Sequence, residues 1–104
     1  MNKKRKETLE KRGWKVGTVQ ELLGLSDEET MLIELRIELG KVLRKQREKL
    51  GYTQSQLAKE IKSSQSRIAK MEHGDSQTSI ELFLKSLFHI GTPREKICEI
   101  LSSL

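Results

Sequence analysis

The chain has 104 residues, of which 34% are charged, 35% hydrophobic and 4% aromatic, and its net charge is +5. That length supports one core but no separate catalytic domain, and no apolar run approaches the length of a membrane span. A single cysteine, Cys98, excludes an internal disulfide and fits a reducing cytoplasm, where it is expected as a small buried hydrophobe.

Residues 1–15 contain seven Lys/Arg and two Glu, so residues 16–104 sum to zero. No apolar stretch follows the basic start, so no secretory signal is read. Residues 1–12 are expected to form a basic, disordered tail that either strokes DNA or serves solubility. Residues 13–29 form an N-terminal extension: Gly13 to Gly17 as a short extended segment, then a capping box at Thr18 to Glu21 opening one helical turn that ends at Gly24. Residues 30–104 form the main domain.

Ser26-Asp27-Glu28-Glu29 is a second box, with acids where the helix dipole favours them, and a long helix is expected from there to about Leu50, stopping at Gly51. Leu32, Leu35, Leu39, Val42, Leu43 and Leu50 recur at helical spacing and are expected to face the core. Met31, Ile33 and Ile37 lie on other faces. The first half of this helix therefore needs cover on two sides, from the Trp14 to Leu25 segment folding back or from another protein chain.

Residues 53–74 read as two short helices joined by a tight turn. Thr53 caps the first and Gln56 completes a box, with Leu57, Ala58 and Ile61 on one apolar face. Ser64 caps the second, where Ile68, Ala69 and Met71 are apolar and Gln65, Ser66, Arg67 and Lys70 remain for solvent. Those four side chains suit base edges or phosphates. A fourth helix is expected from Thr78-Ser79-Ile80-Glu81 to Gly91, with Ile80, Phe83, Leu84, Leu87 and Phe88 as its apolar stripe. A fifth starts at Thr92-Pro93-Arg94-Glu95 with Pro93 in its first turn. Ile97, Ile100, Leu101 and Leu104 make a stripe on it that is either core or a dimer seam, the seam being the first choice.

The motif at 53–74 resembles the Cro/repressor-type (xenobiotic-response-element) helix-turn-helix family, through Thr53, Gln54, Leu57, Ala58, Ser64 to Ser66, Ile68, Glu72 and Gly74 in matching order and spacing. The resemblance implies an all-α, five-helix domain and an ion pair between Arg47 and Glu72 that ties the first helix to the recognition helix. It also places Gln54 at the DNA backbone beside Gln65. One departure is Lys62, which stands where the family's turn usually has Gly, and a non-Gly residue at positive φ is disfavoured by roughly 1 kcal/mol. Residues 13–29, followed directly by the long helix, are similar to the HigA-type antitoxins, which bind their own operator as dimers and neutralise a partner toxin. A solitary phage-type repressor is the alternative.

The expected partners are therefore double-stranded DNA with a palindromic operator, a second copy of the chain and a toxin protein, in the cytoplasm and without a membrane. DNA binding is assigned to Thr53, Gln54, Ser64, Gln65, Ser66, Arg67 and Lys70, with Lys41 and Arg44 as weaker phosphate candidates. Residues 41–73 carry nine bases and three acids, residues 21–38 six acids and one base, which suits phosphate binding at the motif. No enzyme, cofactor or metal is expected: His73 and His89 stand apart, without Cys or His at ligand spacing.

Overall fold

The computed structural model describes residues 22–104, and every regular element among them is a helix. The tail, the Gly13 to Gly17 segment, the Thr18 box and Trp14 lie outside the described residues. Five helices follow in order: α1 Asp27–Lys49, α2 Gln54–Glu60, α3 Gln65–Glu72, α4 Ile80–His89 and α5 Arg94–Ser103.

Side-chain caps start four of them. Ser26, Thr53, Ser64 and Ser79 each accept the backbone N–H three residues on, and at Thr53 the Gln56 side chain returns the bond, completing the box. Helix α5 starts differently from expectation: Pro93 is the capping residue itself, just outside the first turn, and supplies no side-chain cap. Four helices end alike. After α2, Ser63 N–H reaches the Ala58 carbonyl at 2.7 Å and Lys62 N–H that of Lys59 at 3.3 Å, and the same crossed pair closes α1, α3 and α4. The geometry demands a left-handed residue at its centre, a glycine in three cases and Lys62, φ 55°, in the fourth.

Helix α1 spans about 35 Å at 1.5 Å per residue, whereas the others have seven to ten residues. No one of them can therefore cover its length. Leu35, Leu39 and Leu43 are buried with Leu57, Ala58, Ile68, Met71, Phe83, Leu87 and Ile90, while Val42 is half-buried against them. Leu32 and Leu50, expected in the same stripe, are exposed. Helices α1 and α3 cross at Gly40, where a Cβ would overlap the Met71 carbonyl oxygen and stand 3.0 Å from that of Glu72.

The stripe on α5 divides. Ile100 and Leu104 are buried at 5% and 9% exposure in the core of their own chain, and Ile97 packs partly against it. Neither Ile100 nor Leu104 is thus a free seam residue, because α5 folds back onto α1 and they fill that contact. Leu101, one position round the helix, is 54% exposed. Cys98 is exposed as well, not buried as expected, since it lies about 100° from Ile97 on the outer face. Phe88 also leaves its expected stripe for solvent while Phe83 and Leu87 fill the core.

Candidate nucleic-acid interface

Helix α3 presents its buried residues Ile68, Met71 and Glu72 to the core. At 100° per residue, Ser66 and Lys70 then point outward, flanked by Gln65 on the side of α2 and Arg67 on the other. All four are exposed. His73, the capping residue at the C-terminal end, shares the outward face with Ser66 and Lys70. On the sequence it is set aside as a metal ligand and given no other role. Its signal was there, in the i+3 and i+7 spacing from Lys70 and Ser66.

A chain of polar contacts runs from α1 to α3. Arg47 forks onto Glu72, with Nε donating to Oε2 at 2.6 Å and Nη2 to Oε1 at 3.0 Å, and its Nη1 donates to the Tyr52 carbonyl at 2.8 Å. The pair is nearly dry, with side-chain exposures of 11% for Arg47 and 3% for Glu72. The Glu72 hydrogen bond outweighs desolvation and pushes the Arg47 pKa above its ordinary value. Gln54 Nε2 donates to Glu72 Oε1 at 3.1 Å, and Gln54 Oε1 accepts from Gln65 Nε2 at 2.6 Å. Both ends of the Gln54 side chain are thus engaged inside the protein. For an anion it retains one side-chain N–H, alongside the first-turn backbone N–H groups that have no intrahelical acceptor.

Thr53 and Ser64 stand at the N-termini of α2 and α3 with their hydroxyls used as caps. Lys41 and Arg44 face other partners: Lys41 lies 3.6 Å from Glu38 and Arg44 2.7 Å from Glu48, on their own helix. The loop after α3 is tied by Asp75, whose carboxylate accepts Gln77 N–H at 3.2 Å and the Thr78 hydroxyl at 2.9 Å. These bonds, with smaller help from Lys70 and Arg67, hold its pKa below the ordinary value. Arg36 Nε donates to the Thr78 carbonyl at 2.8 Å, fastening the loop to α1.

Residues 43–85, from the last turns of α1 to the middle of α4, match the family model described as helix-turn-helix. The segment is a helix-turn-helix. No curated protein and no solved structure matches the chain. The helix-turn-helix match supports a DNA-binding regulator and bears on 43–85 alone. Among the described residues there is no group of three or more metal-ligating side chains, and no helix long and apolar enough to cross a membrane.

Proposed function

We propose that this chain is a sequence-specific DNA-binding regulator that lays α3 in the major groove of a palindromic operator as a homodimer. What carries the reading is the outward face of α3: Gln65, Ser66, Arg67 and Lys70 exposed together on a helix whose back is locked to α1 and α2. Lys70 and Ser66 meet base edges, Arg67 meets bases or backbone, and Gln65 pairs with an adenine. Thr53 and Ser64, at the helix starts, lie against phosphates.

The test is binding to a randomised duplex library at fixed salt, followed by titration of selected duplexes. Gln65→Ala should relax preference at one base position, and Lys70→Ala at another, each by about 1–3 kcal/mol. Should both variants select the same sequences as the parent with the same affinity, α3 does not read the bases.

The finer reading is an antitoxin, with a small basic toxin as second partner. Leu22 (81% exposed), Leu23, Met31 and Leu32 are exposed beside Asp27, Glu28 and Glu29. Apolar surface rimmed by acids suits a basic protein partner better than a solvated face. A solitary phage-type repressor is the alternative. A small basic protein encoded in the adjacent reading frame that binds this chain, and binds the Leu32→Glu variant at least tenfold more weakly, favours the antitoxin; a chain that regulates without any such neighbour favours the alternative.

A further inference from the structure

We propose that the junction of α1 with the start of α5 is a binding site for a small phosphate monoester, on the side of α1 turned away from α3.

A hollow of about 260 Å³ opens at this junction, just under the usual size of a small-molecule pocket. Helix α1 lines it with Val42, Lys45, Gln46 and Lys49, which recur at i, i+3, i+4 and i+7 and so share one face. At 100° per residue that face lies opposite Arg47, whose fork onto Glu72 marks the α3 side. The other wall is the entry to α5, with Thr92, Pro93 and Lys96.

Three of these lining residues are lysines and none is an acid. Lys45 and Lys49, one turn apart on the same helix, repel each other. Lys96 has Glu99 at 3.5 Å, in an exposed pair of little strength. Gln46 donates from Nε2 to the Ile90 carbonyl at 3.2 Å, which fixes its amide and leaves a second N–H. Pro93 opens α5 without a side-chain cap, so the positive end of that helix's dipole adds to the lysine field.

Thr92 is the residue that calls for a ligand. It is 6% exposed, and its hydroxyl oxygen is buried without a hydrogen-bond partner. Buried hydroxyls are rarely left so, and Val would fill the same space at no such cost. A hydroxyl in the wall of a lysine-ringed hollow has a proton to give, and an anion accepts it. Ammonium groups, hydroxyl and amide N–H come from both walls. A phosphate monoester, with three accepting oxygens and nearly two negative charges at about neutral pH, uses donors from several directions, where a carboxylate offers two oxygens only. Val42, Pro93 and the lysine stems supply apolar surface for its organic group.

The test titrates phenyl phosphate and inorganic phosphate into the full chain at constant ionic strength, with chloride as the control, followed by calorimetry and by melting temperature. Phenyl phosphate should saturate one site per chain and raise the melting temperature. Thr92→Val, which keeps the shape and removes the hydroxyl, should melt no lower than the parent and bind phenyl phosphate about tenfold more weakly, the loss expected for one hydrogen bond to a charged group. Lys45→Gln combined with Lys49→Gln should weaken binding at least as much while leaving the fold intact. Equal binding by the parent and Thr92→Val, or a response to phosphate no greater than to chloride, overturns the site. Inorganic phosphate binding as tightly as phenyl phosphate shows a site for the bare ion and overturns the monoester. The DNA backbone is another source of the same chemistry, and a random-sequence duplex separates the two: saturating phenyl phosphate should leave duplex affinity unchanged, whereas displacement of the duplex assigns the site to DNA and overturns a small-molecule occupant.

Discussion

Removing either Arg47 or Glu72 leaves the other charge in a site that water scarcely reaches, because the two side chains are only 11% and 3% exposed. A buried charge stripped of its partner costs about 3–5 kcal/mol, a large share of the 5–15 kcal/mol that typically holds a domain together. Arg47→Ala and Glu72→Ala should each lower the thermal midpoint steeply, and unchanged midpoints would show that solvent satisfies the survivor. Asp75 makes a smaller and pH-dependent contribution. Its backbone bond from Gln77 and its bond from Thr78 depress its folded pKa below the ordinary value, so the stability it adds is present at neutral pH and is lost as the pH falls through the depressed value. Asp75→Asn should flatten the acid limb of the stability profile below about pH 4, the ordinary carboxylate range; an unaltered limb in a pH series of melts would refute it.

At the scale of elements, the turn between α2 and α3 holds the one non-glycine residue with positive φ among the described residues. Lys62→Gly removes a strain of roughly 1 kcal/mol, part of which the freer unfolded chain takes back. The expected gain is at most about 4–8 °C in melting temperature, and a lower midpoint would mean that the Lys62 side chain stabilises the turn. Gly40→Ala acts in the opposite direction, since its methyl group meets backbone oxygens of α3 that cannot rotate away. Overpacking of that kind costs about 1–3 kcal/mol, and because it pushes α3 outward it should weaken DNA binding as well as lower the melting temperature. Helix starts and stops were legible in the sequence because Ser, Thr and Gly act on the backbone within three or four residues. Gly40 was not, since a helical glycine acquires meaning only from the helix that crosses it. Leu32, Leu50 and Phe88 show the same boundary of local reasoning: periodicity names the apolar face and leaves open how far a neighbouring helix extends along it.

For the whole molecule, on the proposed reading the eight residues of α3 read only a few base pairs, and a second copy one DNA turn away, roughly 34–36 Å, would double the information. A two-fold seam sets each surface against its own image, which disfavours the end of α1 bearing Asp27, Glu28 and Glu29. On α5 the exposed charges Arg94, Glu95, Lys96 and Glu99 cancel, so this helix can meet its own image without that like-charge repulsion. That leaves Leu101 as the proposed anchor of a dimer, while Ile100 and Leu104 belong to the core of their own chain. The two roles separate cleanly on substitution. Leu101→Glu should give a folded monomer by light scattering, with its melting temperature little changed and operator affinity reduced at least tenfold, since each half-site must then be filled independently. Ile100→Glu, by contrast, buries a charge in the core and should unfold the chain. A Leu101→Glu protein that remains a dimer of parental affinity would place the seam elsewhere, with exposed Phe88 the next residue to substitute.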